Sequence, residues 1–294
     1  ALRAGMAAMA GLAALGAGAY ALAPHVAPPV PEAVKAGFLP PPRAAACFDI
    51  PHAHVRAEGW LCDIHPRGEA RPSFALFGDS HAVQLLDAFE QAAVQAGRRG
   101  VFAGFSGCPP LQGVHALDRL NDTRLDCAAL NARMLATVRE LGLRDVYLVG
   151  KWSYSTEYWD GGRYLNALAL TPDGPATLEA SREAFDHGVR ATVEAYARVG
   201  ARVHFVAQVP QQALAAPAAY DRAWRQPARA SAVLDELAGP LAAHSRQQAV
   251  PAASFARHVR PPHETLDFSD RFCDGQRCAI GTPGQTWYTD LSHL

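Results

Sequence analysis

Two short segments of this chain carry residue types that could together perform acyl chemistry. Ser80 stands in Gly78-Asp79-Ser80-His81, and Asp290 and His293 stand three apart in Tyr288-Thr289-Asp290-Leu291-Ser292-His293-Leu294. A serine hydroxyl is a poor nucleophile until a base removes its proton, and an imidazole does this near neutral pH. An aspartate three residues before a histidine can share its face on one turn. The carboxylate then holds one ring nitrogen while the other reaches the serine. Each segment has a plainer reading: a serine is a common helix cap, and the Asp-x-x-His spacing is frequent in any long chain. Both in one α/β domain is a rarer coincidence.

The elements that must position these residues are visible in the hydropathy pattern. Residues 73–77, 100–104, 145–149, 202–207 and 250–255 read as short buried strands, and 81–96, 125–141, 176–199 and 231–248 as amphipathic helices. Alternation of this kind predicts a three-layer α/β/α domain with a mostly parallel sheet. Active sites of such sheets lie at the C-terminal edge of the strands, in the loops after Phe77, Gly104 and Val149. The first of these loops would present Ser80 at a helix start, where free N–H groups and the positive dipole end face a developing oxyanion.

Composition narrows the class. Of 294 residues 49% are hydrophobic and 19% charged, enough for a buried core. A formal net charge of -1 and the lack of any Lys- or Arg-rich run give no footprint for nucleic acid. Six cysteines form three local pairs, Cys47 with Cys62, Cys108 with Cys127 and Cys273 with Cys278. Their even count and spacing fit disulfides in an oxidising compartment. Metal binding is the competing reading, but no CxxC motif or zinc-spaced His pair accompanies them, so no metal and no cofactor is expected. Residues 4–23 contain no charge and are long enough to cross a bilayer, with Arg3 on the cytoplasmic side. A cleaved signal peptide and a buried Ala-rich helix are the alternatives. Seven prolines fall between Pro24 and Pro42, and residues 25–45 read as a semi-rigid spacer. The expected organisation is a transmembrane helix over 1–24, a linker over 25–45 and a catalytic domain over 46–294.

Gly78-Asp79-Ser80-His81 near the start and Asp290-Leu291-Ser292-His293 at the end resemble the first and fifth blocks of the SGNH (GDSL-type) hydrolases. More narrowly, the chain is similar to the SGNH domains fused behind the membrane acyltransferase-three module of bacterial polysaccharide O-acyltransferases. Gly59-Trp60-Leu61-Cys62, Gly107-Cys108-Pro109-Pro110-Leu111, Lys151-Trp152-Ser153 at a strand end, and the 272–278 run Phe-Cys-Asp-Gly-Gln-Arg-Cys carry that narrower likeness. The resemblance spans about residues 46–294. It implies Ser80 as nucleophile, His293 as general base and Asp290 as the partner that orients it. It also implies that the 4–23 helix is the last span of a truncated acyltransferase module. The family pattern has an oxyanion-hole glycine and asparagine besides the Ser80 N–H. Gly107 is the candidate for the glycine, with Gly104 as competitor. The asparagine is absent, because Gly150-Lys151-Trp152 stands in its place, which leaves the Trp152 indole or Lys151 as replacement donors.

Weaker candidates complete the site. His81 and Trp152 are placed as substrate contacts, although a solvent-facing His81 is as good a reading. Asp79 is expected to fix the turn rather than to act as an acid. Trp152, Tyr154, Tyr158 and Trp159 form an aromatic cluster suited to stacking a sugar or to half-buried packing. Asn121-Asp122-Thr123 matches a glycosylation sequon. The expected activity is transfer of an acyl group, most simply acetyl, to a cell-envelope glycan from a membrane partner module. An esterase acting on acylated glycans or lipids and a non-catalytic glycan-binding domain are the rivals.

Overall fold

The computed structural model describes residues 9, 11–18, 29–48, 60–65, 71–117, 126–158 and 165–294. These residues fall into two compact units, each described by itself. The larger holds Pro40–Pro210, Pro240–Gln276 and His293–Leu294, and the smaller Ala1–Leu39, Gln211–Gly239 and Arg277–Ser292.

The larger unit is built on a six-stranded sheet: β1 (Cys62–Ile64), β2 (Phe74–Gly78), β3 (Gly100–Gly104), β4 (Asp145–Val149), β5 (Arg202–Val206) and β6 (Glu264–Leu266). Their order is β1-β3-β2-β4-β5-β6; β1 runs antiparallel to β3 and every other pair is parallel. Strand residues alternate faces. Ala75, Phe77, Val146, Leu148, Val203 and Phe205 enter one core, while Phe74, Leu76, Phe102, Val149 and Val206 enter the other. The first face is covered by α3 (Cys127–Leu141), α4 (Leu178–Arg198) and α5 (Leu241–His258) through Met134, Phe185, Tyr196 and Phe255. The second is covered by α1 (Ser80–Gln84) and α2 (Leu86–Ala96) through Ala82, Val83, Leu86 and Ala93. The mixed α/β class with a mostly parallel sheet is therefore present. Helix starts are capped as their sequences suggest: Asp126 accepts from the N–H groups of Ala128 and Ala129, and Thr177 from that of Ala180.

In the smaller unit, helices Ala216–Trp224 and Ala230–Leu237 accompany an antiparallel hairpin of Gly281–Thr282 and Gln285–Thr286. The Tyr220 hydroxyl lies 2.7 Å from both the Thr282 and Gln285 carbonyl oxygens. Gln212 ties three segments together. Its backbone N–H donates to the Leu291 carbonyl (2.7 Å), its Nε2 to that of Cys278 (3.1 Å), and its Oε1 accepts the Gly239 N–H (3.0 Å).

Several expectations are corrected. Residues 250–255 are not a strand but part of α5, and the outer strand is Glu264–Leu266. A six-residue apolar run does not distinguish strand from helix by periodicity. The helix expected over 231–248 is two helices, broken at Gly239-Pro240, where proline removes a backbone donor. The spacer over 25–45 is partly folded. Helix Glu32–Ala36 forms within it and Ala44–Cys47 starts at its end, with Val34 and Cys47 buried. Pro31 precedes the first of these, a position where its missing N–H does no harm. Among the described residues no helix is long and apolar enough to cross a membrane. The 4–23 stretch is described only at residue 9 and residues 11–18, which are helical with Met9, Leu12 and Leu15 exposed. The sequon and Trp159 lie outside the described residues.

Candidate active site

Ser80 owes its position to a close approach of two strands. A Cβ on Gly78 would stand 1.8 Å from the Val149 carbonyl oxygen and 2.7 Å from the Ala82 Cβ. Only glycine lets β2 end against β4 while the chain turns into α1. Asp79, the next residue, is buried and accepts two backbone hydrogen bonds. Its Oδ1 takes the His81 N–H at 2.8 Å, which caps α1, and its Oδ2 takes the Lys151 N–H at 2.8 Å, which reaches the loop after β4. Burial pushes the Asp79 carboxyl up to about 6, against the lowering effect of those two bonds and of the nearby His293 and Lys151. The expectation that Asp79 holds the turn agrees with these bonds, which extend to the neighbouring loop.

Ser80 is half-buried at the first position of α1, and its Oγ lies 2.8 Å from Nε2 of the half-buried His293. For Nε2 to accept the serine proton, the imidazole must carry its own proton on Nδ1. The His293 ring also lies against that of His81, with centroids 4.6 Å apart and planes inclined by 34°. His81 is only 5% exposed, so the solvent-facing reading of it fails. It packs against the histidine, a relation without local signal because 212 positions separate the two residues.

Asp290 belongs to the smaller unit. There its Oδ1 accepts the Ser292 N–H at 2.7 Å, closing a tight turn, and its carbonyl accepts the Ala216 N–H at 3.1 Å. Gly107 sits in the loop after β3 with φ of +70°, which favours glycine. Its carbonyl accepts from Asn166 Nδ2 at 2.9 Å, and the Cys108–Cys127 bridge fixes the adjacent residue. Gly104 has a packing reason instead: a Cβ there would stand 2.7 Å from the Gly78 carbonyl oxygen. Among the described residues, the N–H groups of Ser80 and Gly107 have no hydrogen-bond acceptor.

Trp152 is corrected on both counts. Its indole N–H donates to the Val206 carbonyl at 2.7 Å, and its ring, 1% exposed, packs edge-on against Phe185, Phe205 and Phe255. It can neither touch substrate nor serve an oxyanion. Lys151 uses its N–H on Asp79 and holds its ammonium 5.1 Å from the Tyr154 ring centre. Gln208, which carried no motif, accepts from both the N–H and the hydroxyl of Ser153 (3.0 Å each) and so braces the same loop from β5. Of the cysteines, Cys47 bonds Cys62 and Cys108 bonds Cys127. Cys273 and Cys278 are also disulfide-bonded, so no described cysteine is free.

Comparison with known proteins agrees with this arrangement. No curated protein sequence matches the chain. Among solved structures it is similar to the lipopolysaccharide acetyltransferase periplasmic domain of Salmonella ser. Paratyphi A. That likeness has a TM-score of 0.57 at 15% identity and covers 86% of each chain. At that identity it speaks for the fold. The family described as "SGNH domain (fused to AT3 domains)" matches residues 46–294, which supports an acyl-transferring or ester-cleaving enzyme in general. With the match spanning the sheet, the Ser80 turn and His293, the chain belongs to the family of SGNH domains fused to AT3 domains.

Proposed function

We propose that this chain is an extracytoplasmic O-acyltransferase that moves an acyl group, most simply acetyl, onto a hydroxyl of a cell-envelope polysaccharide. The 2.8 Å approach of Ser80 Oγ to His293 Nε2 carries the reading. As Oγ attacks the acyl carbonyl carbon of the donor, its proton passes to Nε2. The tetrahedral oxyanion is met by the N–H groups of Ser80 and Gly107. Collapse expels the donor's leaving group with the proton from His293 and leaves an acyl-serine. The acceptor hydroxyl then attacks, gives its proton to His293, and collapse returns Ser80. Asp290 orients His293 and stabilises its charged form. Two donors rather than three make the oxyanion site leaner, and each such donor is typically worth about 10²–10³ in rate.

The donor reaches the site from a membrane AT3 module, in keeping with the fusion named for the family. The disulfides support placement outside the cytoplasm. The uncharged 4–23 stretch supports a membrane anchor at the bacterial inner membrane. The half-exposed Ser80 also supports the esterase reading, in which water takes the acceptor's place. Incubation with an acetyl donor and a glycan, followed by mass spectrometry, separates the two: O-acetylated glycan supports transfer, and free acetate with unmodified glycan supports hydrolysis. A chain that neither acetylates glycan nor cleaves a chromogenic acetyl ester would overturn both.

A further inference from the structure

The backbone of His81 is held from two sides. Its N–H donates to the buried Asp79 Oδ1 at 2.8 Å, and the other oxygen of that carboxylate takes the Lys151 N–H from the loop after β4. Ala82 and Val83, the next two residues, are buried in the core beneath α1. The His81 side chain is buried as well, so its ring is placed firmly relative to Ser80, its neighbour in the chain. Against that ring lies the imidazole of His293, with centroids 4.6 Å apart and planes inclined by 34°. The contact is made by the faces of the two rings, and Nε2 of the second ring is the atom 2.8 Å from Ser80 Oγ. Face contact matters for this side chain in particular. The torsion that turns an imidazole about its bond to Cβ has broad minima, so the ring does not fix its own plane.

We propose that His81 is a positioning residue for His293: its ring face holds the plane of the His293 imidazole so that the Nε2 lone pair points at Ser80 Oγ. The role rests on the acyl-serine reading, in which Nε2 takes the serine proton and later returns it. Both transfers use the one lone pair that lies in the ring plane, and a ring turned out of line loses it in each. A contact between His81 and substrate has little room instead. The cavity that His81 borders with Gly150, Gln208 and Leu294 measures about 20 Å³, space for about one water and not for a sugar or an acyl group. What the role asks of position 81 is a flat face, and the imidazole nitrogens are dispensable to it. A phenyl ring there would keep the face and would also suit the imidazolium that forms between the two transfers.

The test compares His81→Phe with His81→Leu in the full chain. For each, kcat and KM on a chromogenic acetyl ester are measured per folded molecule, and thermal unfolding is recorded. Leucine occupies the space without offering a flat face; should that variant not fold, His81→Met takes its place. In His81→Leu kcat should fall about ten- to a hundredfold with KM within about twofold, whereas His81→Phe should keep kcat within about threefold. Val83→Ala, buried in the same helix on the core side, controls for a loosened α1 and should keep kcat within about threefold. A kcat as low in His81→Phe as in His81→Leu would mean that an imidazole nitrogen acts. A raised KM with kcat kept would give His81 to the substrate. Either overturns the proposal, as does turnover unchanged in both variants or lost as far in Val83→Ala as in His81→Leu. An unmutated chain that cleaves no ester, or cleavage retained in Ser80→Ala, would instead sink the acyl-serine reading and this role with it, so the two failures are told apart.

Discussion

The Asp79 carboxylate and the Lys151 backbone N–H, 72 residues apart in sequence, are joined by a 2.8 Å hydrogen bond across the end of the sheet. It ties the turn that presents Ser80 to the loop after β4. The same carboxylate caps α1, so one buried group fixes both the turn that carries Ser80 and the helix that follows it.

Its titration gives the first prediction. Burial raises the Asp79 pKa from 3.8 in the unfolded chain to about 6, so the folded state holds this proton more tightly. The resulting stability is complete below about pH 4 and is lost as pH rises through about 6. A shift of about two units corresponds to about 3 kcal/mol. In Asp79→Asn this titration is gone. Unfolding free energies of the two proteins, measured by urea between those pH values, should differ by an amount that changes by that order, with the wild type losing ground as pH rises. A difference constant with pH would contradict the assignment.

Ser80→Ala and His293→Ala should each lower turnover of a chromogenic acetyl ester by about 10³-fold or more, while leaving the melting temperature nearly unchanged. The double variant should be no worse than either single one, because the two groups act as a unit. Additive losses, or ester cleavage retained in Ser80→Ala, would remove the covalent step.

For Trp152→Phe a stability effect is expected instead of a catalytic one. The substitution strands the Val206 carbonyl, buried with it, and leaves a void among Phe185, Phe205 and Phe255. A loss of about 1–3 kcal/mol follows from the hydrogen bond and the packing. Ester turnover per folded molecule should change little. If turnover collapsed while stability held, Trp152 would have to be returned to the substrate.

Gly78→Ala should do both. Its methyl meets backbone, the Val149 carbonyl, so β2 and β4 must part just before Ser80. Overpacking of this kind costs about 1–3 kcal/mol, sometimes more. Thermal unfolding should report that loss, and ester turnover should fall further than the folded fraction alone explains.

Much of this was legible in sequence for identifiable reasons. Strands β2 to β5 are buried on both faces, so each reads as a continuous apolar run, and the expected limits fell within a residue or so of Phe74–Gly78, Gly100–Gly104, Asp145–Val149 and Arg202–Val206. Strand β6 carried no such signal: it lies at the sheet edge with Glu264 and Thr265 exposed. Ser80 and His293 were readable because both stand in short local patterns. Trp152 was misread because its position in a run of aromatics says nothing about which distant phenylalanines enclose it. The same holds for Gln208 and the His81–His293 ring contact, which exist only once the strands are aligned.

The partnership of Ser80 and His293 closes a separation of 213 residues, the two local bridges separations of only 15 and 19. In a chain made from its N-terminus, the Cys47–Cys62 and Cys108–Cys127 loops can close while the C-terminal part is still being synthesised. Ser80 meets its imidazole partner only when His293 emerges. Loop-closure entropy adds little for so long a span, so timing rather than energy separates these events. A nascent chain that lacks His293 therefore has no imidazole beside the Ser80 hydroxyl.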